Sequence, residues 1–398
     1  MGGDHRSHGL VKEFPTAGDT VVRYCQGGSP GMYRALDLRG RVQIADGYEE
    51  RRHLNPVHEM VKAPMLLGYP NLFASRALDI TNDGLDEMLT DADVALVREP
   101  WQMPHVLANV DDETPVVYSS HNVETERFRD IDQPLFSKRV IRRVDELERQ
   151  AVDGADAIIC TSDRDARVYR NKYDPDGPII VAPNGTYEAR LRAHRPDRAI
   201  TRRLRREYDI PPETIVGLFM GSNYRPNVEA AEAAVDVTRD LSDDTLPFHL
   251  LVVGSVGRGL KSSDLPSNVT LTGYVEEGFE AHFDTADIAL NPMVSGGGTN
   301  IKLIDYFARS LPVVSTPFGA RGLDVTDSEN IRLAELSDFA EAIEALGTDE
   351  GERQRLGQAG RELAADRYTW EAASRKVREG LHEHFGPFRT GEKIHSVT

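Results

Sequence analysis

The sequence predicts an α/β protein built from two Rossmann-like, doubly wound domains, and three observations carry that prediction. Short apolar runs alternate with helical stretches along the chain, and polar or turn residues close each run. At 398 residues the chain is too long for one ordinary hydrophobic core. The apolar pattern lapses near the middle and then resumes, separating two similar series.

In the first series, strands are expected at Thr20–Cys25, Ala92–Val97, Thr114–Ser119, Ala157–Thr161 and Pro178–Ala182. The residues that follow them are Gln26-Gly27-Gly28, Arg98-Glu99-Pro100, Ser120-His121-Asn122, Ser162-Asp163 and Pro183-Asn184-Gly185. Strand–turn–helix repeats imply a parallel sheet that takes its ligands at the carboxyl ends of the strands. The lapse falls at 189–206, where eight arginines face only Asp197, and an interdomain linker is assigned there. The second series places strands at Thr214–Met220, His249–Val253, Val269–Leu271, Ile288–Leu290 and Pro312–Ser315. The domains are therefore 1–188 and 207–369. Residues 370–398 form a helical tail expected to pack back on the first domain, and the two open sheets face each other across a ligand cleft.

Composition narrows the class. No run of eighteen apolar residues is present, so no membrane span is expected. The opening Met1-Gly2-Gly3-Asp4-His5-Arg6 lacks the apolar core of a signal peptide, which favours a cytoplasmic protein. Cys25 and Cys160 make neither a disulfide framework nor a metal spacing. The net charge of −18, with eight lysines against 39 arginines, suits solubility in concentrated salt and indicates a halophilic cytoplasm. The same charge disfavours nucleic acid as a partner. The basic stretches Lys138–Arg143 and 190–206 are read as solvated helix faces or cleft lining. The alternative is peripheral contact with anionic lipid at the inner face of the membrane. Asp-x-Asp triplets at Asp91/Asp93, Asp163/Asp165 and Asp174/Asp176 are expected by chance in so acidic a chain, and no metal is assigned.

The most informative stretch is Gly296-Gly297-Gly298-Thr299-Asn300 running into Ile301-Lys302-Leu303-Ile304-Asp305-Tyr306-Phe307. The glycines let a ligand approach the main chain closely. Thr299 or Asn300 is placed to cap the helix that follows, and Pro312 stops it. Amide groups at such a helix start suit a diphosphate, with Lys302 adding a cation and Asp305 an acceptor for ribose hydroxyls.

Taken together, these residues resemble glycosyltransferase family 4, the retaining enzymes of GT-B fold, in their glycine-rich Ser-Gly-Gly-Gly-Thr branch. The acidic charge balance adds a haloarchaeal source. The resemblance covers most of the chain and is strongest from about 214 to 376. It is carried by Ser295–Ala308, Leu311–Leu323, Gly221-Ser222-Asn223-Tyr224-Arg225-Pro226-Asn227, Thr272-Gly273-Tyr274-Val275, His121-Asn122-Val123-Glu124 and Pro183-Asn184-Gly185. It implies transfer of a sugar from a nucleotide-sugar, which is a substrate, to a glycan, lipid-linked or other acceptor held by the first domain. No obligatory metal or cofactor is implied. The donor residues it implies are Gly221, Arg225, Tyr274, Gly296, Gly297, Gly298, Thr299, Asn300, Lys302 and Asp305.

The chain departs from the family pattern in three places. The second of the family's two donor-contacting acids is Asp305 rather than Glu, and the position of the first is Gly297. Arg98 stands before Glu99-Pro100 where many members have a histidine, and it stays protonated. Arg98, Glu99 and His121 are the catalytic candidates. Gly2-Gly3 corresponds to the family's glycine loop over donor and acceptor, with a helix from Asp4, yet only Met1 precedes it. The first, central strand is absent, and translation from an upstream start is expected to supply it. A nucleotide-sugar epimerase, or a silent sugar-binding scaffold of the same fold, is the competing function.

Overall fold

The computed structural model describes residues 2–26, 39–53, 55–82, 84–129, 137–191, 198–241, 246–261, 264–275, 278–388 and 393–397. Its strands in chain order are β1 Thr20–Gln26, β2 Arg39–Ala45, β3 Tyr48–His53, β4 Ala92–Val97, β5 Val116–Ser119, β6 Ala157–Cys160 and β7 Ile179–Val181. They continue as β8 Ile215–Met220, β9 Phe248–Val253, β10 Val269–Gly273, β11 Ile288–Asn291, β12 Val313–Ser315, β13 Arg332–Leu333 and β14 Lys393–Val397. The chain divides into two compact units, Met1–Asn184 with Trp370–Thr398, and Gly185–Thr369.

The division precedes the 189–206 stretch, so that stretch is part of the second unit and is largely helical, at Glu188–Leu191 and Arg198–Glu207. Leu191 and Leu204 are buried. Arg205 reaches the carboxylate of Asp287 at 3.3 Å and the carbonyl of Thr214 at 3.0 Å. These contacts are long-range, which is why a lapse in local periodicity suggested a linker. Arg192, Arg195 and Asp197 lie outside the described residues.

The amino-terminal sheet has the order β2-β3-β1-β14-β4-β5-β6-β7 and is parallel except where β2 runs antiparallel to β3. Its core joins Tyr24, Ala95, Val97, Tyr118, Ile158 and Cys160 to Leu78, Met103, Val106, Ala151 and Tyr169 from covering helices. The β2–β3 hairpin turns at Asp46-Gly47, with Gly47 at φ 71°. Apolar periodicity does not reveal it, because β3 reads Tyr-Glu-Glu-Arg-Arg-His and buries Glu50 against Arg23 at 3.0 Å.

The central slot between β1 and β4 is occupied. β14 pairs in parallel with β1 from Thr20–Lys393 to Tyr24–Val397, and with β4 up to Val97–Val397. The strand expected from upstream of Met1 is thus supplied, within this chain, by its carboxyl end. A strand missing from the middle of a sheet leaves two ladders of unpaired amides and carbonyls, and β14 satisfies both. The helix Trp370–Phe385 leads to it. Trp370 is buried against Gly9, and Arg378 donates to Asp19 at 2.5 Å.

The carboxyl-terminal sheet is parallel throughout, in the order β10-β9-β8-β11-β12-β13. This is the doubly wound arrangement in which the strand order reverses once, here between β8 and β11. One face carries the helices Arg225–Asp240 and Phe339–Thr348, packed on Phe219, Leu250, Val252, Ile288 and Leu290. The other carries Ile301–Ala308 and Glu350–Arg367, packed on Leu218, Leu251, Val253, Ala289 and Val313. Ligands of such sheets bind where the order reverses, outside the carboxyl ends of the strands.

Candidate active site

In the carboxyl-terminal unit that reversal point lies between the ends of β8 and β11. β8 leads through Gly221 to the start of the helix Arg225–Asp240, and β11 leads through the glycine loop to the helix Ile301–Ala308. Gly254, at the end of β9, has φ 104°, and a Cβ there would stand 2.3 Å from the Gly221 carbonyl. The Gly221 turn therefore closes only over a glycine. Gly296, at φ 110°, abuts Pro226, with an added Cβ at 3.2 Å. The two helix starts are tied together by Lys302, whose Nζ donates to Asn227 Oδ1 at 2.9 Å.

Lys302 is the electrostatic oddity of this unit. Its Nζ lies 4.5 Å from the Phe219 ring centroid and 3.6 Å from Met293 Sδ. Burial pushes it down from 10.5 to about 7, and no charged neighbour offsets that burial. An ammonium kept from water without a carboxylate is costly to the fold, and an anionic ligand removes the cost.

The other donor candidates are placed as follows. Asn300 occupies the N-cap position, but its side chain donates to the Gly319 carbonyl at 2.6 Å instead of accepting from the helix amides. The capping expected of Asn300 is therefore corrected: it fastens the loop to β12's turn. Arg225 is exposed and holds Glu229 at 2.8 Å, and Ser295 Oγ donates to the other oxygen of Glu229 at 2.5 Å. Asp305 accepts from Arg190 at 3.0 Å, so its carboxylate already has a cation. Tyr274 follows Gly273, at φ 70°, and exposes its ring. Gly297, Gly298 and Thr299 complete the loop, with Gly298 at φ 67°.

Arg321, Asn227 and Glu229 were not singled out by the sequence. Arg321 stacks on Phe318 and donates to the Gly296 carbonyl at 2.7 Å. Its position in Gly319-Ala320-Arg321-Gly322 was the only available signal. A cavity of about 300 Å³ in this unit lies at the opposite end of the sheet, lined by Asp287, Ser310, Pro312 and Arg353. Asp287 and Pro312 precede β11 and β12, so that cavity is remote from the glycine loop.

In the amino-terminal unit Arg98 and Glu99 follow β4, and His121 follows β5. Arg98 Nη2 donates to Glu99 at 2.7 Å, and Nη1 to Ser7 at 3.4 Å. Burial pushes the Glu99 carboxyl up, but Arg98, Arg127 and Lys62 outweigh it and hold it below the ordinary range. Burial, then Arg98, Arg6 and Arg127, hold His121 well below 6.5, so it is a neutral imidazole. Gly2 and Gly3 lie in the first turn of the helix Gly2–Gly9, not in a loop. That helix brings in Arg6, which no sequence motif marks. Arg6 is 1% exposed and donates to the carbonyl of Ala182 at 2.8 Å and to Asn184 Oδ1 at 3.3 Å.

The His121 loop is held from behind by Glu148, a fully buried carboxylate. It accepts from the amides of Glu124 at 2.6 Å and Thr125 at 3.0 Å, and from Tyr173 at 2.8 Å. Among the described residues no cluster of histidine, cysteine or acidic side chains is arranged to hold a metal ion, and no helix is long and apolar enough to cross a membrane.

Two open sheets of this kind, one with a glycine loop and a lone lysine at its reversal point, define a GT-B type glycosyltransferase, and family models agree. The model described as Glycosyltransferase Family 4 matches residues 2–190, and Glycosyl transferases group 1 matches residues 214–349. Among solved structures the chain is similar to sucrose-phosphate synthase from Thermosynechococcus elongatus, at 16% identity and TM-score 0.69, covering 94% of this chain and 92% of that one. It is also similar to Anabaena HepE in complex with UDP, at 12% identity and TM-score 0.68, covering 96% of each chain. WaaG, a glycosyltransferase involved in lipopolysaccharide biosynthesis, aligns at 14% identity and TM-score 0.66 over 95% of each chain. At these identities the likeness is one of fold. No curated protein matches in sequence.

Proposed function

We propose that this chain is a retaining hexosyltransferase that binds a nucleotide-sugar in its carboxyl-terminal unit and delivers the sugar to an acceptor held by its amino-terminal unit. The observation that carries the proposal is Lys302, a cation without a counter-charge, beside two helix starts and a glycine loop at the reversal point of a doubly wound sheet. Departure of a nucleoside diphosphate develops negative charge that must be stabilised in place. Main-chain amides of residues 296–302 and the Lys302 ammonium supply that stabilisation. Arg225 is released to the phosphates when Glu229 keeps only Ser295, and Asp305 takes a ribose hydroxyl beside Arg190. The neighbour solved as a sucrose-phosphate synthase, and HepE solved with UDP, are compatible with such a donor. With the cations supplied by the protein, the proposed reaction needs no obligatory metal. The acidic, lysine-poor composition supports a halophilic cytoplasm as its setting.

The test is incubation with UDP-, GDP- and dTDP-sugars in concentrated salt with EDTA, with and without candidate acceptors. The expected result is nucleoside diphosphate release that depends on acceptor, an α-linked product from an α-linked donor, and at least a hundredfold loss in Lys302→Ala. New nucleotide-sugar without acceptor would make the protein an epimerase. Donor binding without turnover would make it a scaffold. Normal donor binding by Lys302→Ala would remove the site assignment.

A further inference from the structure

The amino-terminal unit holds a second set of unsatisfied donors that no donor-site role uses. The Nε and Nη2 atoms of Arg6, the Nε of Arg98 and the Nε2 of His121 are buried and lack hydrogen-bond partners. Unpaired donors of this kind are rare in folded proteins, and each one calls for an explanation. Arg6 is the most telling, because a nearly fully buried guanidinium is normally paired with a carboxylate. Its partners among the described residues are a carbonyl and an amide oxygen, and burial pushes it down to about 10.

The groups are neighbours. Arg98 reaches Ser7, the residue after Arg6, at 3.4 Å, and Arg6, Arg98 and Arg127 all bear on His121. They come from the helix Gly2–Gly9 and from the turns after β4 and β5, with Asn184 after β7, so they gather outside the carboxyl ends of the strands. Among the described residues, the nearby carboxylates have cationic or hydroxyl partners of their own. Glu99 is held by Arg98, Glu124 by Arg127 at 3.1 Å, and Glu59 lies 3.7 Å from Lys62. Asp165 is near Arg6, but its carboxylate accepts from Thr161 and lies 3.6 Å from Arg164. None of these carboxylates reaches the free Arg6 nitrogens.

We infer that this cluster is the seat of an anionic group on the acceptor, a phosphate monoester recognised by Arg6, Arg98 and His121. The inference rests on the transferase function proposed above and adds the acceptor's chemical class to it. A planar guanidinium with two free N–H groups matches phosphate oxygens, and neutral His121 donates through its unpaired nitrogen or becomes charged beside the anion. The proposed donor diphosphate is assigned the amides and the cation of the other unit, and none of those groups belongs to this cluster. A phosphorylated hexose and a polyprenyl phosphate share this chemistry.

The experiment measures binding of inorganic phosphate, glucose 6-phosphate, glucose and a short-chain polyprenyl phosphate to the full chain by calorimetry. Ionic strength is held constant and saturating UDP is present or absent. Phosphate and at least one phosphate monoester should bind with UDP already in place, while glucose should not. Arg98→Gln and Arg6→Gln should each weaken phosphate at least tenfold, with UDP affinity within threefold of the parent. Arg98 is more exposed than Arg6, at 22% of its side chain, so its variant tests the site even if Arg6→Gln fails to fold. Tighter binding of one monoester identifies the source. Competition between phosphate and UDP, or unchanged phosphate affinity in Arg98→Gln, overturns the inference. Loss of UDP binding with phosphate binding retained would instead remove the donor-site assignment.

Discussion

Replacing Lys302 with Met is predicted to make the free protein more stable while abolishing its affinity for nucleoside diphosphate. Burial lowers Lys302 in the folded state to about 7, against 10.5 for a lysine amine in water. Its charged form is therefore disfavoured by folding. The cost is absent above 10.5, grows as pH falls through the window from 10.5 to 7, and is fully present below 7. At pH 7 that amounts to on the order of 4 kcal/mol, which a methionine of similar length avoids. Binding reverses the sign. A phosphate charge about 4 Å from Nζ contributes about 4 kcal/mol at an effective dielectric of 20, roughly three pKa units. At pH 8 the free ammonium is about one-tenth protonated and the bound one nearly fully so, so UDP binding should take up about 0.9 proton. The phosphates of UDP are themselves ionised at that pH, since their last ionisation lies near 6. Calorimetric titration in two buffers of different ionisation enthalpy gives the proton number directly. UDP binding at pH 8 with no proton uptake, or with equal affinity in Lys302→Met, would refute the reasoning.

Three further outcomes follow from the geometry. Glu148→Ala strands the buried amides of Glu124 and Thr125 behind the His121 loop, while Tyr173 keeps Asp145, so urea denaturation should show a loss of about 3–5 kcal/mol. A loss under about 1 kcal/mol would mean the loop is held by something else. Gly254→Ala places a methyl 2.3 Å from the Gly221 carbonyl at a φ of 104°. Thermal melts should show a loss of about 2–3 kcal/mol, and UDP affinity should fall with it; unchanged values in both would contradict the close approach. Deleting residues 389–398 removes β14 from between β1 and β4. It should cost on the order of 5 kcal/mol, most of a domain's stability, seen as loss of the cooperative circular-dichroism transition. A deletion variant with the parent Tm would show that β14 is not needed in that slot.

Local pattern made the ten principal parallel strands legible, because alternation between apolar runs and turn residues depends only on neighbours in sequence. The glycine loop and the helix Ile301–Ala308 were legible for the same reason: three glycines, a helical apolar stripe and Pro312 are all local signals. Charged β3 was not legible, since its burial depends on Arg23 meeting Glu50 across the sheet. Neither was the role of Asn300, whose side chain turns to Gly319, nor the pairing of Asp305 with Arg190.

The sequence by itself determined the two doubly wound series, the class of the fold and the loop that addresses a phosphate. Only the tertiary structure decided that the carboxyl-terminal strand fills the centre of the first sheet, that Lys302 has lost its water without gaining a counter-charge, and that Arg6 arrives buried beside Arg98 and His121. Each of these is a pairing, or a missing pairing, between residues far apart in the chain. Strand ladders and desolvation are set by which surfaces meet, and no periodicity within a segment records which partner it will find.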